Sequence, residues 1–277
     1  MRRLLAFDSG IGGLSVVREL RALLPDTPID YLADNAVFPY GELPDPVLIA
    51  RVCVLVETAL ARLRPDAVVI ACNTASTVAL AELRRRFDVP FIGCVPPIKW
   101  ASEVSVTRTI GLLATSATVR RPYLRDLQSQ FAPDCTLLAH GARGLADIAE
   151  AAFRHRAIDR DSVAHEVAQL FEQPGGERID VVGIGCTHYS FLLDTLRELS
   201  PPGITWLDPA GAVARRAKSV LEGLSEAAPE GRAAVAGKAW FTGQPADADR
   251  LLQGLATFGY GGFLEFGKMQ VQQSREL

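Results

Sequence analysis

Apolar residues follow two alternating rhythms along this chain. Short apolar-rich runs at 4–7, 29–33, 68–71, 91–95, 109–114, 135–139, 181–185, 205–207, 239–242 and 263–266 each give way to polar, glycine or proline residues. Runs of this length bounded by turn formers predict buried strands. Between them, apolar residues recur three or four apart, as at Leu14, Val17, Leu20 and Leu24. That spacing predicts helices over 14–24, 46–63, 75–87, about 118–130, 144–154, 159–173, from about 191, 210–224 and 246–256. Pro46 suits the first turn of its helix. Residues 34–41, 115–118 and 227–237 read as turns or loops. Strand–helix alternation throughout predicts an α/β protein with mostly parallel, doubly wound sheets and right-handed crossovers.

The pattern also repeats. Val68–Ser76 and Val181–Ser190 both run from an apolar strand through a cysteine into small polar residues and a helical segment. Cys72 and Cys186 stand 114 positions apart, and Ala6–Ser9 corresponds to Leu113–Ser116 at an offset of 107. Two near-equal offsets in one order predict two like lobes with a cleft between them. The Pro96-Pro97 break sets the boundary. Residues 1–96 with 209–277 form the first lobe, and residues 97–208 the second.

Bulk properties exclude several classes. The 277 residues carry a formal charge of −3, with 48% hydrophobic and 22% charged residues. This is an ordinary globular composition without the basic footprint of a nucleic-acid binder. Arg84, Arg85 and Arg86 read as a solvated helix face. No stretch approaches a membrane span, and the N-terminal apolar run, cut by Asp8, is too short for a secretion signal. Five cysteines without paired spacing argue against disulfides and against structural zinc, so a reducing cytoplasm fits best. The Asp8–Gly13 turn has neither the Gly-Lys pair of a Walker loop nor a G-x-G-x-x-G, although its glycines would let backbone N–H groups approach a small anion.

The candidate chemistry gathers at predicted strand ends, where open α/β sheets place ligands. Cys53, Cys94 and Cys135 fall inside elements and read as core. Cys72 and Cys186 fall at strand-to-helix turns, where a helix N-terminus lowers a thiol pKa. Two thiols facing one cleft can act as acid and base on opposite sides of a bound molecule. Asp8 reads either as a helix cap or, if its strand adjoins that of Cys72, as the proton partner of that thiol. His188, two residues past Cys186, reads as a proton partner or a packed cap. His140, at a strand end, is a lesser candidate. Ser9, Tyr40, Asn73, Thr74, Thr115, Thr118 and Thr187 are uncharged hydrogen bonders that could hold a carboxylate, or serve as turn residues.

Asp8–Leu14, Pro39-Tyr40-Gly41, Ala71–Ser76 and Gly185–Tyr189 together closely resemble the glutamate racemases, bacterial enzymes that supply D-glutamate for peptidoglycan. Val95–Lys99, Gly111–Thr115 and Leu207–Ala212 also look like that family. The resemblance covers nearly the whole chain in order. It implies two flavodoxin-like lobes in pseudo-two-fold symmetry, no cofactor and no metal. It implies that Cys72 takes the proton from D-glutamate and Cys186 from L-glutamate, with Asp8 and His188 assisting. It also implies substrate contacts at Asp8, Ser9, Tyr40, Gly41, Asn73, Thr74 and Thr187; Pro39, Thr115 and Thr118 are counted with them as candidate substrate-binding residues. The family's acidic residue opposite the second cysteine is assigned to Glu150. One departure is Asp34-Asn35-Ala36, followed by Val37-Phe38, where many members have Asp-Thr-Ala before Pro-Tyr-Gly. In the family, activation by a peptidoglycan precursor goes with an N-terminal extension. Here Leu4 already begins the first strand, so no activator is expected.

The expected partner is L- or D-glutamate, with no nucleic acid and no membrane; a homodimer is left open. The rival readings are an aspartate, hydantoin or arylmalonate-type isomerase of the same superfamily, and a two-lobed protein that only sequesters a small acid. A pyridoxal-phosphate racemase is disfavoured, because no lysine sits in a phosphate-cradling context.

Overall fold

The computed structural model describes residues 2–224 and 236–268, so the loop expected at 227–237 falls almost wholly outside them. The first half runs β1 (Leu4–Asp8), α1 (Leu14–Leu23), β2 (Ile29–Ala33), α2 (Asp45–Leu63), β3 (Ala67–Ile70), α3 (Asn73–Arg86), β4 (Phe91–Gly93). The second runs α4 (Ile98–Val104), β5 (Thr109–Ala114), α5 (Ser116–Arg120), α6 (Pro122–Phe131), β6 (Thr136–Gly141), α7 (Leu145–Phe153), α8 (Arg160–Phe171), β7 (Val181–Gly185), α9 (Leu193–Leu199), β8 (Thr205–Leu207). α10 (Ala210–Glu222), β9 (Ala239–Phe241), α11 (Ala248–Thr257) and β10 (Phe263–Glu265) follow.

These strands form two parallel sheets. The first has the order β10-β9-β2-β1-β3-β4, the second β6-β5-β7-β8. Four strands in the order second, first, third, fourth therefore occur twice, and β9 and β10 extend the first sheet beyond β2. Leu4 pairs with Ile29 and Ala67, and Ile110 with Leu137 and Val181, so the first strand of each set is central.

Both faces of each sheet are buried, as parallel sheets require. In the first sheet, Leu4, Ala6, Tyr31 and Val69 join one core with α1 and α10, whereas Leu5, Phe7, Leu32 and Ile70 join another with α2 and α3. In the second sheet, Leu113, Val182 and Ile184 face α7 and α8, whereas Ile110, Leu112 and Val181 face α4 and α6. The chain passes between the sheets at Pro96-Pro97 and at Pro209, and both passages line one groove of about 450 Å³. Among the described residues, no helix is long and apolar enough to cross a membrane.

Element ends shift by one or two residues from those predicted, α4 is not expected from the pattern, and two further segments differ. The helix expected to end near 130 is two helices, because Pro122 has no N–H with which to continue α5. The turn before it is the cap of α5, with the Thr118 N–H donating to Thr115 Oγ1 at 3.2 Å. After Cys186, a 3-10 turn over Thr187–Leu192 precedes α9.

Candidate active site

The two strand pairs bring their carboxyl ends to one place. β1 lies beside β3, and the Ala71 N–H donates to the Phe7 carbonyl at 2.8 Å. This register carries Asp8 and Ser9 to the end of the sheet beside Ala71 and Cys72. β5 lies beside β7 in the same way, setting Thr115 near Cys186. Asp8 joins the two sheets. Its Oδ1 accepts from the Gly10 N–H at 2.8 Å and from Ser9 Oγ at 3.4 Å; its Oδ2 accepts from Thr187 Oγ1 at 3.1 Å. Ser9 Oγ in turn lies 3.8 Å from Cys72 Sγ. A continuous polar path therefore runs from Cys72 through Ser9 and Asp8 to Thr187, the neighbour of Cys186. Asp8 is fully buried and does not cap α1, whose N-cap is Gly13. Burial pushes its carboxyl up, against the opposing pull of His188 and the bonds from Gly10 and Thr187.

Cys72 is the N-cap of α3, and the Ala75 N–H donates to its sulfur at 3.5 Å. The expected lowering of its pKa does not follow. Burial pushes the Cys72 thiol well up, Asp8 and Cys186 add to the rise, and the helix N-terminal contact only partly opposes it. One helix terminus cannot replace the water that a thiolate loses on burial. Cys186 is followed by a 3-10 turn rather than directly by an α-helix.

His188 lies beside the second thiol. Its Nδ1 lies 4.0 Å from Cys186 Sγ and its Nε2 lies 3.2 Å from Glu150 Oε1. The same Glu150 oxygen accepts from the Ile11 N–H at 2.9 Å, and Arg154 holds the other. Burial disfavours the imidazolium, but Cys186, Glu150 and Asp8 outweigh it and hold His188 well above the ordinary histidine range. Glu150 is lowered to about 2, its burial outweighed by His188 and Arg154. The glycine turn thus approaches an anion, but the protein's own. A Cβ on Gly10 would come within 2.3 Å of Glu150 Oε1, and one on Gly12 within 2.5 Å of His188 Nδ1.

The hydroxyls expected to hold substrate also meet. Thr74 Oγ1 lies 3.3 Å from Thr115 Oγ1, which lies 2.9 Å from Thr118 Oγ1. Asn73 is buried, and neither atom of its amide has a hydrogen-bond partner among the described residues. Gly41 faces Thr115; a Cβ there would stand 3.6 Å from the threonine Cβ. Pro39, after a cis peptide, leads into the 3-10 turn over Tyr40–Glu42. The Tyr40 hydroxyl, however, donates to Asp34 Oδ2 at 2.7 Å, so its ring belongs to the core beside Cys72.

His140 is turned to Glu166 on α8 at 2.5 Å, and Cys53, Cys94 and Cys135 are buried free thiols. Sequence reasoning missed Asp34, Arg51, Thr242, Arg154 and Phe38, whose ring sits 5.2 Å from that of His188. Only Arg154 carried a local signal, four residues past Glu150 on α7. Among the described residues, no group of three or more His, Cys, Asp or Glu is arranged to hold a metal ion.

Two parallel α/β sheets with a thiol at the carboxyl end of the third strand of each define a paired-cysteine α/β enzyme. The chain belongs to the Asp/Glu/Hydantoin racemase family, whose pattern it matches over residues 14–217. It is 55% identical over 217 residues to the glutamate racemase of Granulibacter bethesdensis, covering 78% of each chain. It is 47% identical over 226 residues to that of Brucella ovis, covering 81% of this chain and 82% of the relative. The crystal structure of Escherichia coli glutamate racemase in complex with L-glutamate and the activator UDP-MurNAc-ala superposes with a TM-score of 0.88. It is 36% identical, over 95% of this chain and 97% of that one.

Proposed function

We propose that this protein interconverts L- and D-glutamate by a two-base mechanism without a cofactor, supplying D-glutamate for peptidoglycan. The observation that carries the reading is the path Cys72–Ser9–Asp8–Thr187, which ends beside Cys186 and ties two buried thiols to one site. The unpartnered Asn73 amide at its edge supports a polar ligand, since buried amides are seldom left unbonded. Glutamate is favoured over other acids of the family by the named relatives at 55% and 47% identity.

In this reading a thiolate removes the α-proton from one face, and the opposite thiol delivers a proton to the other. Fixed dipoles in a water-poor cleft stabilise the carbanion. Cys72 accepts the proton of D-glutamate, with Ser9 and Asp8 adjusting it; Cys186 accepts that of L-glutamate, with His188 and Glu150 adjusting it. Asn73, Thr74, Thr115, Thr118, Thr187, Ser9 and the Pro39–Gly41 turn hold the carboxylates. Residues 1–96 with 209–277 and residues 97–208 act as the two lobes. A reducing cytoplasm keeps the thiols free, and association into a homodimer is compatible with the scheme.

The test is polarimetric. Purified protein treated with EDTA and hydroxylamine should bring L-glutamate to zero circular dichroism and turn over aspartate far more slowly. A glutamate-sized site leaves polar groups unpaired around a shorter acid. Activity that returns only with a metal or pyridoxal phosphate would overturn the cofactor-free scheme. Equal kcat/KM for aspartate would overturn the substrate.

A further inference from the structure

Asp34 is fully buried at the end of β2, where the fold has no need of a charge. Three segments nevertheless converge on its carboxylate. Arg51 of α2 forks onto both oxygens, its Nε to Oδ2 and its Nη2 to Oδ1, each at 2.6 Å. Tyr40 donates to Oδ2 at 2.7 Å, and Thr242, just past β9, donates to Oδ1 at 2.6 Å. The same Thr242 oxygen accepts from the Ala36 N–H at 3.2 Å. Asn35 completes the seam, donating to the Gly243 carbonyl at 3.1 Å and accepting from its N–H at 2.9 Å. The segment between β2 and α2 is thus stitched to the chain more than 200 positions later.

Such a cluster is poor value for stability alone. Well-packed apolar residues often do as well as a buried ion pair or better, whereas a bidentate pair fixes geometry. The geometry fixed here is that of the Tyr40–Glu42 turn. Its Gly41 lies against Thr115 of the second sheet, and the Tyr40 ring packs in the core that contains Cys72. Because the Tyr40 hydroxyl is spent on Asp34 and Gly41 has no side chain, these two residues can offer a carboxylate only main-chain N–H groups. A main chain is placed by whatever grips it from behind.

We propose that Asp34, Arg51 and Thr242 are positioning residues that present the Tyr40-Gly41 main chain to the substrate, so that the strand added late in the chain governs glutamate affinity. The inference rests on the reading of the cleft as a glutamate site. It reaches the reacting thiols only through binding, so its signature is a rise in KM with kcat spared.

The variants are Thr242→Val, which keeps the shape and removes both hydrogen bonds, Thr242→Ser, which keeps both, and Arg51→Met. Thr242→Val and Arg51→Met should raise KM for glutamate at least tenfold with kcat within about threefold, and Thr242→Ser should behave as wild type. If Arg51→Met does not fold, the threonine pair decides. A lower melting temperature with unchanged KM would show a purely structural cluster and overturn the inference, as would a loss confined to kcat. Calorimetric titration of glutamate into the same proteins separates the two claims. If wild type binds glutamate without racemising it, the functional reading fails, and the inference stands or falls on whether Thr242→Val weakens binding tenfold.

Discussion

At the scale of single residues, the two thiols stand in unlike surroundings. Cys72 has a hydroxyl and a buried carboxyl behind it; Cys186 has an imidazole held by Glu150. A two-base scheme needs both on every turnover, so either Cys→Ser change should abolish inversion in both directions. The remaining thiol can still lift and return a proton on its own face. Cys72→Ser should therefore exchange the α-hydrogen of L-glutamate with deuterated solvent, and Cys186→Ser that of D-glutamate, as read by proton NMR. Full racemisation by either variant would sink the scheme, whereas Cys53→Ser, Cys94→Ser and Cys135→Ser should cost only stability. His188 makes a second prediction. Its folded pKa is raised above the ordinary 6.5, so its contribution to stability is complete below that pH and is lost as pH rises toward the folded value. The stability gap between wild type and His188→Asn in urea should shrink between pH 6.5 and 9, by up to about 1.4 kcal/mol per unit. A gap that does not change with pH would show that His188 is neutral.

At the scale of elements, the glycine turn between β1 and α1 is shaped by contact rather than by backbone strain. Gly12→Ala would drive a methyl group to 2.5 Å from His188 Nδ1 and 2.8 Å from its backbone nitrogen. Relief must come from both the imidazole and the main chain at His188, so this substitution should cost about 1–3 kcal/mol, the usual range for overpacking, and most of the activity. Wild-type kcat with unchanged stability would mean that the turn yields freely. The strands that position this turn were legible because burial on both sheet faces writes an apolar run that local reading detects. β2, β5 and β8 have their predicted limits for that reason. The cysteines were legible because each ends such a run. Arg51 and Thr242 were not: each acts on Asp34 across the fold, and neither local pattern nor spacing marks a partner 17 or 208 positions away. The sign of the Cys72 shift was misjudged for a related reason. A helix terminus shows in the sequence, but the depth to which the fold buries it does not.

At the scale of the whole molecule, a doubled scaffold carries chemistry that is not doubled. Asp8 and Thr115 stand at the carboxyl ends of equivalent strands, and Cys72 and Cys186 just beyond another equivalent pair, yet of the first two only Asp8 is ionisable. Enantiomers have equal free energy, so kcat/KM must match in the two directions at every pH. The unlike surroundings of the thiols can appear only in kcat and KM taken separately.

The strand order that occurs in both sheets is the one a duplicated half-length chain would leave. Consider a half-length chain with four parallel strands and one cysteine beyond the third. Paired with a copy of itself about a two-fold axis, it would already place a thiol on each side of a shared cleft. In such an ancestor every mutation strikes both sides at once, so neither base can be tuned without altering the other. Joining the copies into one gene lifts that constraint. A carboxyl could then settle behind one sulfur and an imidazole behind the other, while β9 and β10 were added to one sheet alone.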